Sequence, residues 1–142
     1  MCQADAVGFT PDDKIQKIAE GYSLDAVDFM RDHFHVTLDW SDESIKQVEA
    51  VMETMHGDLR EAKPTQEQVA QFAKMFGSYV GEVYRKNHGA TWGMVELNGQ
   101  RFPGMEKKVN GTLFWPVLRA QKRLVDGAEF NIWDYYRGIV AP

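Results

Sequence analysis

A chain of 142 residues that is 44% hydrophobic, 26% charged and 12% aromatic can bury one core, and it is too rich in aromatics for a disordered segment. Its single cysteine, Cys2, excludes an intramolecular disulfide, and no run approaches the roughly 20 apolar residues that cross a bilayer. The net charge of −5 is unevenly placed, with −8 on residues 1–63 and +3 on residues 64–142; an acidic half repels phosphate backbones and attracts basic partners, or is simply a set of solvated helix faces.

Met1 to Asp13 carries acids where a leader would carry a basic stretch, and no apolar segment follows. The sequence therefore predicts a cytoplasmic chain. Thr10-Pro11-Asp12-Asp13 then reads as a helix start, with Thr10 as cap, Pro11 in the first turn and acids near the positive end of the dipole. Gly21 is expected to end that helix and Ser23 to cap a second one. On the second helix Asp25, Asp28 and Asp32 fall on one side as an acidic stripe.

His33 to Trp40 alternates loosely and suggests a short strand or an extended connector. Ser41 is expected to cap the next helix, whose buried stripe is Ile45, Val48, Val51 or Met52, Met55 and Leu59, with His56 on the outer side. Pro64 followed by Thr65-Gln66-Glu67-Gln68 is a capping box.

The segment from about 66 to 88 holds the strongest periodicity: Val69, Phe72, Ala73, Phe76, Val80, Val83, Tyr84 and Asn87 all fall on helical spacing. Ala73, Gly77 and Gly81 line up at intervals of four. A glycine inside a helix costs about 1 kcal/mol relative to alanine, so the row predicts another backbone packed closely against this central helix.

Gly89 stops the helix, and residues 91–97 read as a strand. Asn98-Gly99 is the hairpin signal that returns it along Gln100 to Phe102, and a third strand is expected near 109–114. Pro116 opens a helix carrying Val117, Leu118, Gln121, Leu124 and Val125 inward, closed by Asp126-Gly127, and Asn131 caps a last short helix. The expected fold is a single α+β domain over 1–142: mostly helical, with a long central helix against a small antiparallel sheet (hairpin near 91–102) and C-terminal helices.

No metal, nucleotide or other cofactor motif is present. His33 and His35 would share a strand face, but no third or fourth ligand at zinc-like spacing accompanies them. Cys2 has no neighbouring base to activate it, and neither a phosphate-binding glycine loop nor a nucleophile elbow occurs. Lys107-Lys108 and Arg119, Lys122, Arg123 are basic clusters that read as wet faces, which argues against nucleic acid.

Glu82 and Arg85, one turn apart on the central helix, read as a structural ion pair or, less commonly, as a general base with its partner. With Asn87, His88 and Trp92 they form one candidate ligand site. Asn87 lies on the apolar stripe, so its amide needs a partner, expected in the loop around Gly89–Trp92. Tyr135 and Tyr136 diverge by about 100° on a helix, which leaves one of them for a binding surface.

Three stretches stand out together: Leu38 to Ile45 (LDWSDESI), Gly77 to Trp92 (GSYVGEVYRKNHGATW), and Val117 to Gly127 followed by Trp133-Asp134-Tyr135-Tyr136. They resemble a large set of small uncharacterised bacterial proteins, over about two thirds of the chain. Proteins of this sort resemble the immunity partners of bacterial toxins. No activity comes with the resemblance; the missing catalytic set and the −8 first half lead to the expectation of a non-enzymatic, antitoxin-like protein that binds a basic partner through Asp25, Asp28, Asp32, Asp39, Asp42 and Tyr135. Two alternatives stand beside it: an enzyme or small-ligand binder at Glu82, Arg85, Asn87, His88 and Trp92, and a structural homodimer joined through the aromatic residues of 130–140.

Overall fold

The computed structural model describes residues 7–141; Cys2 lies outside them. In chain order the elements are β1 (Val7–Pro11), α1 (Asp13–Phe34), α2 (Ser44–Ala62), α3 (Gln66–His88), β2 (Ala90–Leu97), β3 (Gln100–Lys107), β4 (Leu113–Phe114), α4 (Pro116–Asp126) and α5 (Ile132–Val140), with a single 3-10 turn at Ala128–Phe130. The four strands form one antiparallel sheet in the order β1-β2-β3-β4. This is the expected α+β fold.

The central helix is present as predicted. Thr65 and Gln68 exchange the two hydrogen bonds of a capping box at its start, and Gly89 at φ 86° closes it. The Ala73–Gly77–Gly81 row is buried, and the close approach it calls for is there. A Cβ at Gly77 would lie 2.8 Å from the Val117 nitrogen and 2.9 Å from the Pro116 carbonyl oxygen; one at Gly81 would meet the Trp92 ring at 2.5 Å and the Met105 sulfur at 2.8 Å. The start of α4 thus presses directly onto the α3 backbone at Gly77, and the sheet docks one turn later at Gly81. On its other side α3 packs antiparallel to α1: Phe29 meets Phe72 and Phe76 at ring distances of 5.4 and 6.0 Å, while Glu20, earlier on α1, lies within the electrostatic reach of Arg85.

The N-terminal part differs from expectation in four ways. Thr10 and Pro11 do not start the helix; they end β1, paired with Met94 and Gly93, and Asp12 is the cap, accepting from the Lys14 amide at 2.9 Å. The strand of five residues was hidden by an adjacent capping signal that Asp12 alone satisfies. Gly21 does not end α1, which runs unbroken for 22 residues. Ser23 is therefore not a cap: it is buried and returns its hydroxyl to the Glu20 carbonyl at 2.7 Å.

His33 belongs to α1, stacked on Phe29 at 4.6 Å, and His35 takes the left-handed C-cap conformation at φ 56°, so the two imidazoles share no strand face. Residues 41–43 form a turn and α2 begins at Ser44. Ser41 still serves it, since its Oγ and carbonyl accept from the Ser44 amide at 3.2 and 3.0 Å.

The second half matches more closely. Asn98 and Gly99 both have positive φ, at 52° and 81°, as a two-residue hairpin turn with the right-handed twist of the strands requires. The third strand is shorter than expected: β4 is Leu113–Phe114, paired only with Met105 and Glu106, so Gln100–Gly104, Pro103 among them, lie on the free margin of the sheet. In α4 the buried residues are Pro116, Ala120, Arg123 and Leu124, while Val125 is 54% exposed. The helix is rotated from its expected face because Arg123 is drawn inward by Glu49 and Glu53 of α2; it is no part of a wet basic face. His56 likewise faces inward, its Nδ1 2.7 Å from the Leu124 carbonyl oxygen, where it serves an orphan acceptor near the end of α4.

The two kinds of helical glycine give opposite expectations. Gly21 has open space where its Cβ would be, so Gly21→Ala is expected to stabilise the fold by about 0.4–1 kcal/mol. Gly77→Ala is expected to destabilise it by about 1–3 kcal/mol or more through overpacking against Val117. Urea midpoints of the two variants against the wild type check both signs.

Candidate functional site

The C-terminal half of α3 is where the predicted ligand residues lie, and the structure divides them between two networks. On one side Glu82, 1% exposed, accepts from Arg85 through both carboxylate oxygens, at 2.6 and 2.9 Å, and from the Trp92 indole at 3.0 Å. A buried carboxylate is tolerated only when its charge and lone pairs are matched, and here an ion pair one turn away and a strand-borne N–H do so together. The Glu82 hydrogen bonds also hold the Arg85 pKa above its ordinary value. The pair is thus internal cement between α3 and β2, and neither oxygen of Glu82 is left to take a proton from a substrate.

Asn87 and His88 point elsewhere. The Asn87 amide donates to the Trp40 carbonyl at 2.9 Å and to the Val83 carbonyl at 2.8 Å; its partner is the loop before α2, not the Gly89–Trp92 turn. That loop is bent at Trp40, whose φ is 66°, and is pinned further by Tyr79, whose hydroxyl accepts from the Trp40 amide at 3.0 Å and bonds the Ser44 hydroxyl at 2.7 Å. The His88 Nε2 lies 3.0 Å from Asp42, and the buried Tyr136 hydroxyl donates to the same carboxylate. Asp42 thus ties the turn before α2 to α3 and α5, while its side chain stays 39% exposed. The neighbouring hollow beside Tyr84, His88 and Lys107 has its cation engaged as well, since the Lys107 amine donates to the Ile139 carbonyl.

The other residues expected to bind a partner are spread out. Asp25, Asp28 and Asp32 are exposed on α1, but Arg31 bridges the last two at 3.3 and 3.0 Å. Asp39 is exposed and accepts from the Ser41 amide and hydroxyl, which hold its pKa below the usual carboxylate range. Tyr135 is half-buried under the Arg119 guanidinium, 4.9 Å from its ring, and burial pushes its phenol up to about 12. Among the described residues no group of three or more His, Cys, Asp or Glu could hold a metal ion, and no helix is long and apolar enough to cross a membrane.

A hollow lies on another side of α3. A cavity of about 450 Å³ opens between α1, α3, α4 and the sheet. Ile15, Ile18 and Tyr22 of α1 form one wall, Val117, Leu118 and Gln121 of α4 the opposite one, and Trp92 and Pro103 the end at the sheet. From α3 come Lys74 and Ser78. Ser78 is 3% exposed and lines the cavity. Only Trp92 was expected at a ligand site. The available signal was the row Ala70–Lys74–Ser78, which at four-residue spacing marks a face beside the glycine row.

Burial raises the phenol pKa values of Tyr79, Tyr84, Tyr135 and Tyr136, and at Tyr136 the adjacent Asp42 adds to it. Each phenol is harder to ionise in the folded chain than in the unfolded one, where it titrates near pH ~10. Their contribution to stability is thus fully present below that pH and is lost as pH rises toward the about 12 of Tyr135. Urea midpoints measured at about pH 9 and about pH 11 are expected to fall, and to fall less in Tyr136→Phe.

No family model matches the sequence, and no curated protein is significantly similar to it. A crystal structure from Bacteroides thetaiotaomicron VPI-5482, solved at 1.50 Å resolution, has a similar fold, with a TM-score of 0.64 at 14% identity. The match covers 94% of this chain and 47% of that one, so this chain spans less than half of the solved protein, and at that identity the likeness is one of fold.

Proposed function

We propose that the chain is a small-ligand-binding protein whose ligand occupies the cavity between α1, α3 and α4. The observation that carries this reading is the hollow itself, about 450 Å³ and mostly apolar, with Tyr22, Lys74, Ser78 and Gln121 as the polar side chains that line it. The volume and lining fit the general pattern of ligand sites, which are concave, mainly apolar and supplied with a few fixed polar groups.

The rest of the polar chemistry favours binding over catalysis. Glu82 is saturated by Arg85 and Trp92, Asp42 by Tyr136 and His88, and Arg123 is held by Glu49 and Glu53. These sets join secondary-structure elements.

A second reading, an immunity-like protein that binds a basic protein surface, is favoured by Asp25, Asp28 and Asp32 standing exposed along one edge of α1. On that reading, a partner encoded by a neighbouring gene binds the wild type with strong salt dependence, and Asp25→Lys/Asp28→Lys/Asp32→Lys loses that binding; equal binding by both proteins removes the acidic edge from the account.

For the ligand-binding reading the probe is a neutral apolar fluorophore, N-phenyl-1-naphthylamine. Its emission is expected to rise on mixing with the wild type and to stay at background with Leu118→Trp, which fills the hollow, at unchanged far-ultraviolet circular dichroism. Equal emission with both proteins places the probe elsewhere and overturns the assignment.

A further inference from the structure

We infer that the ligand of this cavity is an amphipathic anion, a small carboxylic acid with an apolar chain; the inference rests on the ligand-binding reading above and adds the chemistry of the ligand. The cavity has two chemically different ends. Because α1 and α3 run antiparallel, Ile15 sits toward Trp92 and the sheet, while Tyr22, two turns later, sits toward Lys74. The α4 helix runs against α3 in the same sense: Val117 covers Gly77, and Gln121, one turn on, reaches the level of Val69, with which it shares a second hollow. Lys74 and Gln121 therefore lie at one end, and Ile15 and Trp92 at the other, with Ser78 about 6 Å along α3 from Lys74.

Lys74 is the one ionisable cation lining the cavity, and it forms no salt bridge within the described residues. It stands exposed at the rim, whereas the buried Arg123 and Lys107 are held by protein acceptors. An ammonium at the mouth of an apolar hollow, on the side of the Gln121 amide, suits a carboxylate whose chain extends past Ser78 to the Trp92 face. Among the described residues no carboxylate lines the site, so an anionic head meets no like charge from them.

The test is calorimetric titration of the full chain with decanoate, decanol and decylamine, each below its micelle concentration. Lys74→Met and Lys74→Glu are the test variants, and Lys108→Met, an exposed lysine outside the cavity, is the control. The expected order on the wild type is decanoate, then decanol, then decylamine, with about a tenfold preference for the acid over the alcohol. Lys74→Met is expected to abolish that preference while leaving decanol binding unchanged, and Lys74→Glu to reverse the order of acid and amine; Lys108→Met should behave as wild type. If decanol or decylamine binds wild type as tightly as decanoate, or if Lys74→Met keeps the preference, the anionic head is wrong while the cavity remains a ligand site. If none of the three binds the folded wild type, the ligand-binding reading itself fails, and this inference with it.

Discussion

Everything in this fold is arranged around a backbone left bare at two places. At Gly77 the first residues of α4 rest on the α3 main chain, and at Gly81 the Trp92 ring and the Met105 sulfur take the space a methyl group would need. The two glycines forfeit about 1 kcal/mol each in helix propensity, and what offsets it is dense packing of three elements on one rod. That same closeness brings the Trp92 indole within reach of Glu82 on the next position of the helix, so the buried ion pair of Glu82 and Arg85 depends on the glycine at 81.

The polar interior follows one rule. Buried charges are answered by several groups at once: Glu82 by Arg85 one turn on and by Trp92 of β2, and Arg123 by Glu49 and Glu53 of α2. In a medium of low effective dielectric such matched groups are strong and unmatched ones expensive, so these networks staple the helices together. The cavity lined by Ser78 and Lys74 belongs to none of these networks.

The parts of this architecture legible in the sequence were those with a local signature. The period of α3, its capping box, the glycine row and Asn98-Gly99 each carry their own geometry and reappear where expected. The parts that were not legible depend on partners distant in sequence. Gly21 looks like a stop, yet nothing in α1 needs a left-handed residue there, so the helix continues through it. Arg123 looks like a surface cation until Glu49, 74 residues earlier, draws it inside. Residues 7–11 show too short an alternation to outweigh the adjoining cap. The candidate site was half legible: Trp92 was named, but its companions Lys74 and Ser78 acquire meaning only once α1 and α4 stand on either side of them.

The short β4 has a consequence for how the sheet meets other chains. It covers only two residues of β3, and β1 bounds the opposite side, so both margins present main-chain donors and acceptors to the surroundings. Each margin carries a proline, Pro11 on β1 and Pro103 on β3, and a proline has no amide hydrogen to offer an incoming strand. The chain thereby resists stacking into longer ribbons through exposed strands that its few short β elements leave incompletely shielded.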